Sequence, residues 1–212
     1  MDIIVLLPVL FFSIILHEFA HGWIAYRLGD DTAYLSGRLT LNPLSHIDPI
    51  GTIAIPAVCW FLGWPMFGWA KPVPVNALRL PSPRSDMGKV AFAGPAINLI
   101  LAVVCALFLK IALVAHVYVS QQTFTALAHI FQYGIFINVF LAVFNLIPIP
   151  PLDGGRVVVS VLPVRSAAWY EHFIGRYGMW IVIGLILTGL VKYIIFPPTL
   201  LLIGVLGKLF GI

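Results

Sequence analysis

Four long stretches almost free of charge limit what this chain can become: Ile3 to Leu16, Val90 to Val119, Phe124 to Leu146 and Met179 to Val191, with Lys110 as the one interruption. About 20 residues of helix cross the roughly 30 Å hydrocarbon layer of a bilayer, and several of these stretches reach that length once their flanks are counted. Charged residues make up 9% of the 212-residue chain, against about a quarter in an ordinary soluble domain. The chain therefore reads as an all-α polytopic membrane protein, a transmembrane helical bundle forming one domain over residues 1–212. The first stretch has no basic flank and continues past His21 to about Leu28, too long for a cleaved secretory leader. The net charge of +4 is spread thinly, so there is no basic face for a nucleic-acid backbone. Cys59 and Cys105 lie in apolar surroundings and read as small buried hydrophobes.

The pattern predicts helices over about 3–28, 86–119, 124–146 and 175–196. Pro197-Pro198 should end the last, leaving 199–210 shorter than a full crossing. The core spans 3–156, with C-terminal helices over 175–210. Between the first two core helices, weak alternation from Thr32 to Ile50, with Gly37 and Asn42-Pro43, predicts short strands. Residues 50–67, broken by Pro56, Gly63 and Pro65, either span or form a re-entrant hairpin. Prolines two apart keep Trp69 to Val75 extended, and an unpaired edge there could hold an unwound substrate. The expected fold thus includes a small β-strand and re-entrant insertion.

Charge separates the two readings of 50–67. If the segment is re-entrant, Arg27, Arg38, Lys71, Arg79, Arg84, Lys89, Arg156, Arg165 and Arg176 share one side, while the loop from Val119 to Thr123 carries no Lys or Arg. This is a positive-inside pattern with an extracytoplasmic N-terminus, and with loop 28–89 and region 153–176 on the cytoplasmic side. A spanning segment weakens the bias.

Within the first apolar helix stands His17-Glu18-Phe19-Ala20-His21. Residues four apart share a helix face, so both imidazoles can reach one ion, and the intervening glutamate is placed to take a proton from water. Zinc accepts imidazole and carboxylate in a tetrahedral shell with one position left for water. Two histidines and a glutamate in hydrocarbon require compensation by a metal, partners or a wet cavity. A third ligand must come from elsewhere, and acidic residues are few: Asp2, Asp30, Asp31, Asp48, Asp86, Asp153 and Glu171. Asp153 stands out because it ends a proline-broken extension of a helix, ahead of Gly154 and Gly155.

These residues together resemble the site-2 protease family of intramembrane metalloproteases. The resemblance rests on His17-Glu18-x-x-His21, on Asn145-Leu-Ile-Pro148-Ile-Pro150-Pro-Leu-Asp153-Gly154, on Gly94-Pro95-Ala-Ile-Asn98, and on Gly68-Trp-Ala-Lys-Pro72-Val-Pro74. It implies one Zn2+ held by His17, His21 and Asp153, with Glu18 activating water. It also implies cleavage of peptide bonds in or near a transmembrane segment of a membrane-protein partner. Asn145 resembles the family's substrate-positioning or oxyanion-side asparagine, and Asn98 its polar packing residue. The 28–89 region leaves no room for a peptide-binding domain of the PDZ type, so a minimal member is expected.

Other residues read more plainly. Asn98 packs helices; His46 and Asp48 either line the site's mouth or form a surface turn; His116, His129 and His172 are structural or interfacial. Tryptophans such as Trp69 and Trp169 fit interfacial anchoring. A metal transporter and an inert metal-binding structural protein are the competing functions. The first lacks successive ionisable sites along the spans, and the intact Glu18 argues against the second.

Overall fold

The structure is a computed structural model that describes residues 3–63 and 70–212. Gly68, Trp69 and Asp2, together with residues 64–67 of the doubtful segment, lie outside the described residues. Along the chain come α1 (Ile3–Arg27), the single turn α2 (Thr32–Leu35), α3 (Ile55–Leu62), α4 (Pro83–Ala115) and α5 (Gln121–Asn145). They are followed by α6 (Asp153–Val161), α7 (Val164–Tyr170), α8 (Arg176–Leu187) and α9 (Val191–Phe210). Among the described residues, four segments are long and apolar enough to cross a bilayer: Leu6–Arg27, Pro83–Tyr118, Gln121–Asn145 and Val191–Phe210. The protein is a multi-pass membrane bundle.

Helix α4 is the hub, packing against α1, α5, α6 and α9. Its Ala102, Ala106 and Leu109 meet Ala128, Ile135 and Val139 of α5, and Leu202, Ile203, Leu206 and Phe210 of α9 close over them. Lipid tails are as apolar as leucine, so helices in a bilayer associate through close packing, which small residues permit. At Gly134 any Cβ would stand 2.5 Å from Cys105 Sγ. The far ends of α4 and α9 are tied together by Lys110 Nζ, which donates to the Gly211 carbonyl at 3.1 Å.

The expected β-strand insertion is wrong: no strand occurs among the described residues. Local capping chemistry overrides the weak alternation. Asn42 Oδ1 accepts from Leu44 N–H and opens a 3-10 turn over Pro43–His46. Asp48 Oδ1 accepts from the N–H groups of Ile50 and Gly51 and opens a wide turn over Pro49–Ala54 that runs into α3. Such side-chain bonds offer the backbone a helical start instead of a ladder. Residues 70–76 form no regular element, and their donors make no ladder: Lys71 N–H goes to the His46 carbonyl, Val73 N–H to Glu18 and Asn76 N–H to Asp30.

The Lys71–His46 bond, at 2.9 Å, brings the two ends of the insertion together. The chain leaves and returns at one point, whereas a single crossing would part its two ends by about 30 Å. The helical run from 49 to 62 is itself about 21 Å long, too short to cross. A second correction concerns the C-terminus, where the helix breaks at 188–190 and not at Pro197-Pro198, both of which lie inside α9. Gly189 takes φ +70°, a left-handed stop open to glycine. Proline's fixed φ is compatible with helix, and neither its missing N–H nor its crowding of the carbonyl four residues back ends α9 here.

Candidate metal centre

Helix α1 places His17 and His21 one turn apart, their rings nearly perpendicular at 86°. The His17 and His21 Nε2 atoms are 3.0 Å apart. Asp153 Oδ2 lies 3.0 Å from the first and 3.3 Å from the second. Tetrahedral zinc with bonds of about 2.0–2.1 Å spaces its ligand atoms about 3.3 Å apart, so the trio has the size of one face of such a shell. Among the described residues this is the one grouping of three metal-ligating side chains.

The hydrogen bonds behind the rings settle what those atoms can do. His21 Nδ1 lies 2.7 Å from the Val90 carbonyl, which only accepts, so Nδ1 carries the hydrogen. His17 Nδ1 lies 2.6 Å from Asn98 Oδ1 and is likewise the donor. In neutral rings with the hydrogen on Nδ1, both Nε2 atoms present lone pairs toward each other and toward a carboxylate oxygen. Three electron-rich atoms so close repel one another unless a cation sits among them, and the donor set therefore fits a divalent metal.

Helix α4 is the template for this arrangement. Val90, Gly94 and Asn98 are spaced four apart on one face, and the outer two hold the two rings. Gly94 sits between them, where a Cβ would be 2.5 Å from both Nε2 atoms. The close approach at Gly94 is therefore to the ligands themselves. Asp153 reaches the site as the first residue of α6, so it opens a helix and does not sit in an irregular loop. Gly154 and Gly155 are needed for close approach: added Cβ atoms would stand 2.3 Å from the Leu146 carbonyl oxygen and 2.7 Å from Pro150.

Three comparisons with known proteins bear on this arrangement. The family model "Peptidase family M50" matches residues 75–188, more than half of the chain. The chain belongs to peptidase family M50. This M50 peptidase is 40% identical over 188 residues to "Putative zinc metalloprotease YwhC" of Bacillus subtilis, covering 87% of the chain and 81% of that relative. It is 34% identical over 185 residues to "Putative zinc metalloprotease Rip2" of Mycolicibacterium smegmatis, covering 83% of the chain and 64% of that relative. No solved structure matches it at a significant level. The family match takes in Asp153, Asn98 and Gly94 but ends short of α1, so the geometry is what joins the histidines to it.

Elsewhere in the M50 peptidase, Glu18 is half-buried, and its Oε2 accepts from Val73 N–H at 2.9 Å. The 70–76 strap that supplies this donor is pinned on both sides. Upstream, Arg38 donates to the carbonyls of Lys71 and Pro72. Downstream, the buried Asp30 accepts from Asn76 N–H at 2.6 Å. Burial pushes the Asp30 carboxyl upward. Bonds from the Thr32 hydroxyl, Asn76 N–H and Thr32 N–H, together with the Arg79 charge, outweigh this and hold it below the usual carboxylate range. Asn145 Nδ2 donates to the Leu141 carbonyl one turn back at 3.0 Å, so its amide is engaged with its own helix.

His46 is fully buried with Nε2 on the Thr40 carbonyl, and Asp48 caps a turn. His116, His129 and His172 each pack tilted or edge-on against a neighbouring aromatic ring. The reading from sequence passed over Ser13 and Asn138, both 2% exposed and both bonded into the network behind His17. A polar residue at mid-span is the signal by which the sequence could have shown them.

Proposed function

We propose that this M50 peptidase is a zinc-dependent endopeptidase that hydrolyses peptide bonds in or near transmembrane segments of other membrane proteins. The observation that carries the reading is the convergence of His17 Nε2, His21 Nε2 and Asp153 Oδ2 on one point inside a bundle of apolar helices, with Glu18 next to the first ligand. When bound there, zinc supplies Lewis acidity toward a carbonyl oxygen and lowers the pKa of a water. The chain's own residues do the rest. Asn98 and the Val90 carbonyl hold the two rings with Nε2 forward. Glu18 takes the proton of the attacking water and returns it to the leaving amine, and Val73 N–H orients that carboxylate. Asn145 serves the substrate backbone by exchanging its Leu141 carbonyl, a bond worth about 1 kcal/mol net.

The substrate class follows from where the site lies and from the family resemblance of its motifs. Two of the three ligands, His17 and His21, are carried on the membrane-crossing segment Leu6–Arg27, a depth at which a transmembrane segment of a substrate already lies. The distribution of Lys and Arg supports a cytoplasmic placement for 28–89 and 153–176, with the N-terminus on the other side. The closed ends of the 47–70 insertion are consistent with it.

The test is Glu18→Gln in the full chain, with zinc content measured by elemental analysis and cleavage followed on single-span reporter proteins in proteoliposomes. Zinc should stay at one equivalent while cleavage falls about 10²- to 10⁴-fold, the usual contribution of a positioned proton-transfer group. Cleavage at the wild-type rate would remove Glu18 from the reaction.

A further inference from the structure

Behind His17 runs a chain of hydrogen bonds whose direction is dictated at its far end. Ser13 Oγ–H donates to the Val9 carbonyl at 2.8 Å, so the Ser13 oxygen is left as an acceptor for Asn138 Nδ2 at 3.0 Å. Asn138 Nδ2 also donates to the Gly134 carbonyl at 2.9 Å. Both of its hydrogens are thereby committed, and its Oδ1 must face Asn98 Nδ2, 2.8 Å away. Asn98 Nδ2 is turned toward that oxygen and, at 3.5 Å, toward the Ser13 carbonyl. Asn98 Oδ1 is then the atom left facing His17 Nδ1 at 2.6 Å.

Each step permits one donor direction because the two terminal groups, the Val9 and Gly134 carbonyls, can only accept. Neither amide can flip without placing N–H against N–H or oxygen against oxygen at some link. Asn98 is 0% exposed and Ser13 and Asn138 are each 2% exposed, so water cannot substitute for a broken link. All four side chains lie within the membrane-crossing segments of α1, α4 and α5, where an unpaired amide is costly.

We infer that Asn138 and Ser13 are remote positioning residues of the metal centre: they fix the orientation of the Asn98 amide, which keeps the His17 hydrogen on Nδ1 and Nε2 free for the metal. This rests on the metal-centre reading given above. If Asn138 is removed, the Asn98 amide is free to present Nδ2 to His17. That favours a hydrogen on Nε2, the tautomer unable to bind metal.

The experiment is a titration of the full chain in detergent, stripped with a chelator, with Co(II) followed by its visible d–d absorption and Zn(II) by competition. Asn98→Ala should weaken metal binding about 10- to 100-fold, as loss of a partner behind a ligating histidine does elsewhere. Asn138→Leu should weaken it about 10-fold and alter the Co(II) band, and Ser13→Ala should act in the same direction by a few-fold. The deciding measurement is the double variant. If Asn138 acts through Asn98, Asn98→Ala/Asn138→Leu binds Co(II) no more weakly than Asn98→Ala alone.

Additive losses, or an Asn138→Leu protein with the wild-type affinity and band, would overturn the inference. If Asn138→Leu fails to fold, Ser13→Ala decides: unchanged affinity overturns the inference, and a weakened one supports it. Wild-type protein that takes up no Co(II) would refute the metal centre itself. Wild-type uptake with indifferent variants refutes the relay alone.

Discussion

Gly94→Ala tests the claim that α4 is the template for the metal centre. The new methyl would stand 2.5 Å from both Nε2 atoms and 2.6 Å from His17 Cε1, so the rings must retreat about 0.9 Å to reach the 3.4 Å of ordinary contact. They are tethered to the same helix, one turn before and one turn after, at 2.7 Å to the Val90 carbonyl and 2.6 Å to Asn98. Lifting α1 off α4 by that distance carries both bonds beyond the ~3.2 Å limit for N–H···O. The loss is about 2–6 kcal/mol, counting two net bonds and the partners left unpaired in the core. If the rings tilt instead, the donor atoms move by more than the roughly 0.2 Å that metal–ligand distances tolerate. Either route predicts that Gly94→Ala loses most of its zinc by elemental analysis and no longer gains thermal stability when zinc is added. Gly184→Ala is the control, since nothing lies within 4 Å of its added Cβ, and it should be silent. A Gly94→Ala protein with a full equivalent of zinc and the wild-type melting temperature would refute the template argument.

Two further outcomes follow from the strap. Gly22→Ala brings a Cβ to 2.8 Å from Val73 Cγ1, which shifts the Val73 N–H that Glu18 accepts. Cleavage should fall by up to about 10²-fold, the scale of a 1 Å misplacement, with zinc retained; simultaneous loss of zinc would show that the strap does more than orient Glu18. Asp30 is held below the usual carboxylate range, so its contribution to stability is complete above the ordinary carboxylate pKa of about 4 and is lost as pH falls through the lower folded value. The melting-temperature gap between wild type and Asp30→Asn should be widest near pH 7 and close in acid. A gap independent of pH would mean that the charge of Asp30 is not what holds Asn76.

The spans α1, α4 and α5 were legible within a few residues because hydrocarbon tolerates only long uncharged helices, and composition reports length directly. The insertion was not, because its weak alternation competed with side-chain caps at Asn42 and Asp48, whose effect depends on local geometry more than on period. The C-terminal break was misplaced because two prolines look like a stronger stop than one glycine. Gly189, free to take a left-handed φ, ends the helix, while the prolines continue it.

For the site, the spacing of His17, Glu18 and His21 on one helix was determined by sequence alone, since a four-residue interval on a helix is a fixed geometry. Asp153 was singled out by its setting, but only the fold carries its Oδ2 to 3.0 Å from His17 across 136 residues of chain. The roles of Val90 and Gly94, and the direction of the Ser13–Asn138–Asn98 relay, belong wholly to tertiary structure. A backbone carbonyl, a missing methyl and the donor sense of an amide acquire meaning only from what the fold sets against them.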